Sequence, residues 1–517
     1  MTGVSLIRGK YVICKVLGRH EAVVIEDGAV LQRDGVIVAI GRYDDLEREH
    51  GPVAQVYGSN RHVVMPGFVN SHHHVGLTAF QMGAPDMPLE LWFSARYRKR
   101  DVDPYLDTLY GAFEMIESGI TTVQHLHSRA QGPLERLQAS ANDVIRAYAD
   151  VGMRVSYSHN VRDQNRIVYE DDQKFLGRLP PDLAGELGAM VGSQTLSVED
   201  NLRLFIQLSE QHRGNDRVRI QLAPANLHWC SDEALLKMKE CSDRFGAPLH
   251  MHLLETRYQK EYAKRRCGGT AVGHLGRLGL LGPRLTLGHG VWLTEGDIDL
   301  IAHSGTHLCH NPSSNLRLRS GIAPLNAFEK KGISVALGLD DCSLNDDRSM
   351  LQEMRVALKV HRTPGMDDSV PTACQVLRMA TENGAMTTAF GANIGTLEVG
   401  KSADMVVMDW EHIAFPYLDD EVPIVDAVVQ LARTSGVQTV LIGGEPVLLD
   451  GRFTRIDKAS AVQALADSLR VPLRPDELRR RELSKKVFPH VRQFYEDEGY
   501  LRGEEDFKPF YHFNSRN

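Results

Sequence analysis

Short β-branched apolar runs alternate with tight turns at both ends of the chain. They are Tyr11–Cys14, Ala22–Ile25 and Val36–Gly41 near the N-terminus, and Ala403–Asp409, Val437–Gly444 and Val447–Arg452 near the C-terminus. The pairs Asp27-Gly28 and Asp34-Gly35 predict hairpin turns between the first runs. We therefore expect strands from both ends of the chain to join in one small β unit.

Between residues 66 and 396, apolar strand-like runs alternate with amphipathic helical stretches. This order predicts repeated β-α units with a parallel sheet. Eight runs read as strands: Val64–Ser71, Ile120–Val123, Arg154–Ser158, Val218–Leu222, Pro248–Leu253, Leu285–Gly290, Thr306–His310 and Ile333–Asp340. If eight parallel strands close into a barrel, the polar residues that follow them meet on one face.

These patterns predict an α/β protein with a TIM-like (β/α)8 barrel. Residues 66–396 are the expected barrel, residues 1–65 and 397–457 a composite β-sandwich domain, and residues 458–517 a helical and irregular extension. Residues 160–200 resemble an insertion, which either builds part of a pocket or interface or forms a solvated loop and helix. We expect the tail aromatics Phe507, Phe510, Tyr511 and Phe513 to pack on the body or on a neighbouring subunit.

Composition narrows the class of protein. The chain has 517 residues and a net charge of -8, so it lacks the excess of basic residues that is typical of nucleic-acid-binding proteins. No apolar run is long enough for a membrane span, and the N-terminus lacks a signal-peptide pattern. The seven cysteines have no CxxC spacing, which disfavours thiol metal sites and a disulfide framework. We expect a cytoplasmic protein with a small-molecule substrate.

Histidines at the ends of the predicted strands are the candidate chemistry. His72 and His74 share one face of an extended strand, so they can hold one face of a metal ion, although a histidine-rich surface turn is the alternative. His252, His289 and Asp340 end the fifth, sixth and eighth predicted strands. Three imidazoles and a carboxylate suit Zn²⁺ or another divalent first-row ion with one position open for water.

The motifs around these residues are Pro66–His74, His252–Thr256, Leu287–Gly290, His310–Leu318, Leu337–Asp340 and Ile394–Asp404. Together they resemble the amidohydrolase superfamily, in its cytosine deaminase, guanine deaminase and triazine hydrolase branch. The resemblance covers roughly residues 1–455. It implies one divalent metal per subunit, Zn²⁺ with Fe²⁺ as the alternative, held by His72, His74, His252 and Asp340. It also implies Glu255 as a proton shuttle, His289 as the group that polarises the substrate, and a homodimer or homotetramer.

Two positions bear on how closely the chain follows this family. Binuclear relatives carry a carboxylated lysine at the end of the fourth strand, whereas here the segment Leu222–Asn226 has none, which favours one metal. Asp341 follows Asp340 where the branch often has a small or amide residue. Asp341 either contacts an amino or guanidine-like group of the substrate or caps the next helix with Asp346 and Asp347.

Other polar or aromatic residues at the strand ends have two interpretations each, substrate contact or structural packing. They are Trp92, His125, His127, His159, Asn226 and His228. One of His125 and His127 is expected to face the pocket, unless both pack in the core or at the rim. His250 is expected to be a core histidine, and His310 is expected to order its loop. Substrate choice should depend on the loops at 77–105, 124–129, 158–190 and 224–230.

Four functions are compatible with these motifs. The favoured one is a metal-dependent aminohydrolase (EC 3.5 type), in which metal-bound hydroxide attacks a ring carbon of a nitrogen heterocycle and ammonia leaves. In this reaction, Glu255 moves a proton to the ring nitrogen, and Asp340 takes the proton of the attacking water. The alternative enzyme cleaves an amide, aryl urea or carbamate, or removes a ring chloride. A non-catalytic scaffold should have lost ligands, and a binuclear cyclic amidase should have the fourth-strand lysine.

Overall fold

The computed structural model describes residues 3–74, 76–128, 133–194, 196–366, 368–496 and 500–501. The strands are β1 Val4–Val16, β2 Ala22–Arg33, β3 Val36–Arg42, β4 Val56–Pro66, β5 Phe68–His73, β6 Ile120–His127, β7 Arg154–Val161, β8 Val218–Ile220, β9 Ala223–Pro224, β10 Leu249–Leu253, β11 Leu285–His289, β12 His307–His310, β13 Val335–Leu337, β14 Met405–Asp409, β15 Val437–Ile442, β16 Glu445–Leu449 and β17 Arg452–Phe453.

The helices alternate with the middle strands and then continue beyond them. They are α1 Tyr43–His50, α2 Leu89–Arg96, α3 Pro104–Glu117, α4 Leu134–Val151, α5 Asp172–Leu176, α6 Pro181–Ser193, α7 Val198–Gln211, α8 Asp232–Phe245, α9 Arg257–Cys267, α10 Ala271–Arg277, α11 Glu295–Ser304, α12 Pro312–Arg317, α13 Leu325–Lys330, α14 Met350–Val360, α15 Ala373–Ala380, α16 Glu382–Met386, α17 Trp410–Ala414, α18 Ile424–Leu431, α19 Lys458–Arg470 and α20 Pro475–Glu496. Local signals explain their ends. In α8, the Ser231 hydroxyl accepts a hydrogen bond from the N–H of Ala234, and Gly246 ends the helix with a φ of 64°.

Strands from both ends of the chain lie in one sheet, as the sequence predicts. Its order is β17-β16-β15-β14-β4-β1-β2-β3, and the antiparallel pair β14/β4 joins the two ends. Asp34 and Gly35 form the predicted β2–β3 turn, with φ of 51° and 84°. The turn predicted at Asp27-Gly28 is wrong. These residues lie inside β2, because pairing with β1 continues on both sides of Asp27, which absorbs a φ of 45° as a local irregularity.

The middle strands form two parallel sheets, β5-β6-β7-β8 and β10-β11-β12-β13, with β9 beside β7. Isolated parallel bridges connect them on both sides. Leu222 pairs with Leu249 and Asn226 with His252 on one side, and His73 pairs with Asp340 on the other. The N–H of Asp340 also donates to the carbonyl of His72 at 2.8 Å. The C-terminal ends of the strands that carry the candidate residues are therefore brought together.

The first predicted strand, Val64–Ser71, is two strands rather than one. β4 ends at Pro66 and pairs with β1 and β14, whereas β5 begins at Phe68 and pairs with β6. Gly67 makes the transition, and a Cβ atom there would lie 2.2 Å from the side chain of Thr121. The apolar run is continuous because both strands are buried, but its two halves belong to different sheets.

The insertion and the C-terminal extension pack together. Leu91 of α2, Tyr169, and Phe175 of α5 form a buried apolar cluster with Leu483 and Val487 of α20. The insertion is therefore folded rather than a solvated loop, and the extension is helical over α19 and α20, as predicted. The tail aromatics at 507–513 lie outside the described residues. Among the described residues, no helix has both the length and the apolar composition that a membrane span needs.

Candidate active site

Three imidazoles converge at the C-terminal ends of β5 and β10. The Nε2 atoms of His72, His74 and His252 lie 3.1 Å from one another in all three pairs. Burial is the main cause that lowers the pKa of His72 and of His252 well below the ordinary value. Burial therefore disfavours a charge on His72 and on His252, so these two rings can bring their Nε2 atoms toward one centre. Close approach of unprotonated imidazole nitrogens is the arrangement expected where a cation lies between them.

Hydrogen bonds on the far side of each ring fix its orientation. Nδ1 of His74 donates to the carbonyl of Leu126 at 2.7 Å, and Nδ1 of His252 donates to the carbonyl of Ala225 at 2.7 Å. Because Nδ1 is the donor in both rings, Nε2 is the nitrogen left to face a ligand. His72 Nδ1 lies 2.8 Å from Nε2 of His250, a buried residue as predicted. Such outer partners are typical of metal-ligating histidines, so the donor set fits a divalent ion.

Asp340 completes the cluster from the segment after β13. Its Oδ1 lies 3.2 Å from Nε2 of His74 and 3.7 Å from Nε2 of His72, and its Oδ2 accepts the Ser314 hydroxyl at 2.6 Å. Burial opposes ionisation of this carboxyl. The hydrogen bond and charge of His74 outweigh burial, however, and hold the pKa of Asp340 well below its usual range. Asp340 is therefore an ionised carboxylate beside the three imidazoles.

A second carboxyl and a fourth imidazole lie beside Asp340. Oε2 of Glu255 is 3.6 Å from Nε2 of His289, which is 3.9 Å from Oδ2 of Asp340. Burial, then the charge of Asp340, raises the pKa of Glu255 well above its ordinary value. Nδ1 of His289 lies 2.9 Å from Oδ1 of Asn315, an acceptor, so the lone pair on Nε2 faces both carboxyl groups. The environment thus pushes the pKa values of the two carboxyls apart, as acid/base pairs require.

These residues border a pocket that is open to solvent on one side. Its wall combines the aromatic rings of Trp92, Phe93 and Trp229, the arginines Arg96, Arg162 and Arg317, and the carboxyl groups of Asp86, Glu255, Asp340 and Asp341. Most of the aromatic wall comes from α2 and from the segment after β9. A flat ring of heterocycle size fits such a wall, with its polar edge toward the carboxyl groups.

Trp92 and Asp341, both predicted as substrate contacts, line this pocket. Trp92 also packs in an apolar cluster with Leu89 and Leu318. Both carboxylate oxygens of Asp341 are buried and have no hydrogen-bond partner among the described residues. The alternative prediction, that Asp341 caps a helix, is wrong, because Ser349 caps α14 and the Asp341 oxygens make no capping bond.

The other predicted contacts lie outside the pocket wall, on the sides of their strands that face helices or loops. His125 and His127 face α4, where Nδ1 of His125 is 2.9 Å from the Tyr148 hydroxyl and Nε2 of His127 is 3.3 Å from the Ser140 hydroxyl. The expectation that one of them faces the pocket therefore gives way to the packing interpretation. His159 and Asn226 border other interior groups, with Nδ2 of Asn226 3.3 Å from Oε1 of Gln259.

His228 also packs inside the protein, with ring centroids 4.0 Å from Tyr169 and 4.2 Å from Trp229. Nε2 of His310 lies 2.9 Å from Nε2 of His361, which follows α14, so His310 is outside the imidazole cluster. That it orders its own loop stays a prediction. Sequence reasoning missed Ser314, Asn315, Arg162 and Trp229. The first two lie in the His310–Leu318 motif, and the other two lie in the loops at 158–190 and 224–230 that were expected to set substrate choice. The sequence thus indicated the stretches but not these individual residues.

A sequence model of the amidohydrolase family matches residues 63–447. The chain belongs to the amidohydrolase family. It is 30% identical over 444 residues to 5′-deoxyadenosine deaminase of Methanosarcina acetivorans, covering 85% of this chain and 92% of that protein. It is 31% identical over 433 residues to 5-methylthioadenosine/S-adenosylhomocysteine deaminase of Syntrophobacter fumaroxidans, covering 83% and 90%.

The fold comparison agrees. A crystal structure of an adenosine deaminase from Xanthomonas campestris with bound zinc has a TM-score of 0.75 and 26% identity, and covers 90% of this chain and 97% of that one. The predicted family is therefore confirmed, and so is the prediction of a hydrolase that acts on carbon–nitrogen bonds. A divalent metal is supported by the zinc in that structure and by the clusters His72-His74-Asp340 and His72-His252-His289 in this one.

Proposed function

We propose that this protein is a zinc-dependent aminohydrolase that removes the exocyclic amino group of an adenosine-type nitrogen heterocycle and releases ammonia. One observation carries the proposal: three imidazoles converge beside two carboxyl groups, Asp340 and Glu255, whose pKa values are shifted in opposite directions by their surroundings. The names of the deaminase relatives support the same reaction and point to aminopurine nucleosides as the first substrates to test.

In this proposal, His72, His74, His252 and Asp340 hold one Zn²⁺ per chain. Their Nε2 and Oδ1 atoms face one another closely, and the outer hydrogen bonds of the rings leave the lone pairs available. A bound Zn²⁺ would act as a Lewis acid and lower the pKa of a water molecule in its open position toward neutrality. No lysine lies in the segment at the end of the fourth predicted strand, Leu222–Asn226, which supports one metal rather than two.

The protein's own groups account for the proton transfers. Asp340, ionised at neutral pH, accepts the proton of the attacking water. Glu255, whose pKa is raised by burial, donates its proton to the ring nitrogen next to the attacked carbon. The proton that Asp340 took from water then passes to the departing amine, which leaves as ammonia. As the carbonyl forms, the hydroxyl proton of the tetrahedral carbon returns to Glu255. His289 can take up a proton on Nε2 and, once charged, can donate a hydrogen bond to the oxygen on the tetrahedral carbon.

Asp341 is the proposed contact for the departing amino group. A buried carboxylate without a partner is costly, and an N–H of the substrate would relieve that cost. Trp92 lies in the same pocket wall and offers an apolar face to the ring.

The organisation of the whole chain belongs to the same proposal. The two parallel sheets, bridged on both sides, support a barrel domain at 66–396, and the mixed sheet supports a composite domain of 1–65 and 397–457, followed by the extension from 458. We propose that the protein is cytoplasmic and assembles as a homodimer or homotetramer. Size-exclusion chromatography with light scattering gives the mass that decides the assembly.

The decisive experiment measures ammonia released by purified, zinc-loaded protein from aminopurine nucleosides, aminopurines, aminopyrimidines, pterins and aminotriazines. The Glu255→Gln protein serves as the blank. Release above the blank supports the aminohydrolase and identifies the ring. If no member of the panel releases ammonia while the protein binds one zinc per chain, deamination is wrong for this site. Cleavage of an amide, urea or carbamate then becomes the next reaction to assay.

A further inference from the structure

Arg162 is an unusual member of the pocket wall. It follows the last residue of β7, and its guanidinium carbon lies 3.7 Å from the ring centroid of Trp229 and 5.5 Å from that of Phe93. The Phe93 and Trp229 rings are themselves in edge contact, with centroids 4.8 Å apart. Stacking on an aromatic face fixes the plane of a guanidinium and leaves its N–H groups at the edge for a ligand.

Arg162 has no hydrogen-bonded or ion-paired carboxylate among the described residues, unlike the pocket's Arg317. That residue donates to Asp86 at 3.0 Å and to Asp346 at 2.9 Å. Burial, followed by the charge of Arg96, lowers the pKa of Arg162 to about 10, so it remains a cation at neutral pH. A partly buried cation without a counter-ion is unfavourable, and an anion in the pocket would offset that cost.

We propose that Arg162 is an anion-binding subsite, which holds a carboxylate or phosphate on the substrate at the end remote from the reacting amino group. The inference rests on the proposed aminohydrolase function and adds the chemical class of the substrate's substituent. A planar guanidinium binds the two oxygens of such a group with two parallel N–H donors.

The charges of the pocket set the direction of the substrate. The carboxylates of Asp340 and Asp341 follow β13, whereas Arg162 follows β7. With Asp340 engaged by the proposed zinc, Asp341 would still repel an anionic group at the first location, whereas Arg162 would attract it at the second. The ring to be deaminated therefore lies at the Asp340 side, where Glu255 also lies, and the substituent extends toward Trp229 and Arg162.

Equilibrium binding tests the subsite without turnover. The protein is zinc-loaded Glu255→Gln, and the signal is its tryptophan fluorescence, since Trp229 is stacked by Arg162. Two pairs of ligands are titrated. S-adenosylhomocysteine against 5′-methylthioadenosine compares a carboxylate-bearing substituent with a neutral one, and AMP against adenosine compares a phosphate with a hydroxyl. The anion of at least one pair should bind about 10- to 100-fold more tightly than its neutral partner.

Arg162→Gln in the same background should abolish this preference while changing the affinity for the neutral ligand less than about threefold. Arg162→Lys keeps the positive charge but loses the two parallel N–H donors, so it should retain part of the preference for the anionic ligand. Arg146→Gln is the matched control, because Arg146 also stacks on a ring, that of Tyr105, but outside the pocket. Arg146→Gln should change neither the affinity for the anionic ligand nor the affinity for its neutral partner.

The outcomes separate the subsite from the reaction. The pair that shows the preference identifies carboxylate or phosphate as the ligand group. If neither anion binds more tightly than its neutral partner, or if Arg162→Gln weakens both members of a pair equally, the subsite is wrong. If the Arg162-dependent preference is present but the wild-type protein releases no ammonia from any ligand, the subsite stands and the aminohydrolase function fails.

Discussion

Oε2 of Glu255 lies 3.6 Å from Nε2 of His289. Burial raises the pKa of Glu255 and lowers the pKa of His289, so it disfavours a charge on either group. The contact therefore places a group that can donate a proton beside one that can accept it, next to Asp340 in the candidate site.

Replacing Glu255 by Gln removes the donated proton but preserves the size of the side chain. Turnover of the best substrate should fall by about 10²- to 10⁴-fold, the usual contribution of a general acid or base. Zinc content should stay at one per chain, because Glu255 is outside the proposed ligand set. Steady-state kinetics and elemental analysis of the same preparation check both parts. A variant with normal turnover would eliminate Glu255 as the shuttle.

Replacing His252 by Asn should lose metal and activity together. The change removes one of the three converging Nε2 atoms, and an amide is a poor ligand for zinc. Zinc stoichiometry after dialysis against a weak chelator measures the effect. His310→Asn is the control, because His310 is also a strand-end histidine but pairs with His361 instead. Equal zinc retention by the two variants would contradict the proposed ligand set.

Glu90 should make stability depend on pH. This buried residue of α2 accepts hydrogen bonds from Tyr169 and Thr256, and burial raises its pKa from 4.5 to about 7. In the unfolded chain Glu90 ionises first, so the folded state loses stability as pH rises from about 4.5 to about 7. A shift of this size corresponds to about 3 kcal/mol at most.

Glu90→Gln should remove that loss, since an amide does not ionise and its oxygen can keep both hydrogen bonds. The difference in unfolding temperature between variant and wild type should therefore grow in favour of the variant from pH 4.5 to pH 7 and then level off. Differential scanning calorimetry across this range measures it. The exposed residue Glu49, changed to Gln, is the control and should show no such window. A difference that does not vary with pH would mean that Glu90 is ionised when buried.

Asp341→Asn tests the contact to the amino group. The amide keeps one acceptor oxygen but turns the other position into a donor, which faces the substrate N–H unfavourably. We expect kcat/KM to fall by about tenfold or more, with zinc content unchanged. Ser343→Ala, in the same segment but without its side chain in the pocket wall, provides the comparison. An Asp341→Asn protein with unchanged kcat/KM for every active substrate would leave Asp341 without this role.

The sequence predicted that the strand-end histidines and Asp340 would lie together because their position follows from chain order alone. A residue that ends a parallel strand lies at the same edge as the ends of the neighbouring strands, so the succession of strands is enough to group His72, His252 and Asp340. The break at Gly67 could not be predicted in the same way. An apolar run records that its residues are buried but not which sheet buries them, and only the contact with Thr121 separates β4 from β5.

The wall of the pocket was less predictable for a related reason. Arg162 and Trp229 follow different strands and meet only through the packing of their loops. His125 and His127 show the opposite case. Their spacing placed both side chains on one face of β6. Residues on both faces of this strand recur at every second position, so the spacing does not tell which face meets α4 and which meets the pocket.

The packing of α20 against α2 has a consequence for how the protein matures. The pocket residues Trp92 and Phe93 belong to α2, and α20 holds that region through Ser484, whose hydroxyl donates to the Ser94 carbonyl at 2.8 Å. About 380 residues separate the end of α2 at Arg96 from the start of α20 at Pro475. During translation, therefore, the strand-end histidines can come together while this wall is still unsupported, and α20 can brace the wall only after it has itself been synthesised.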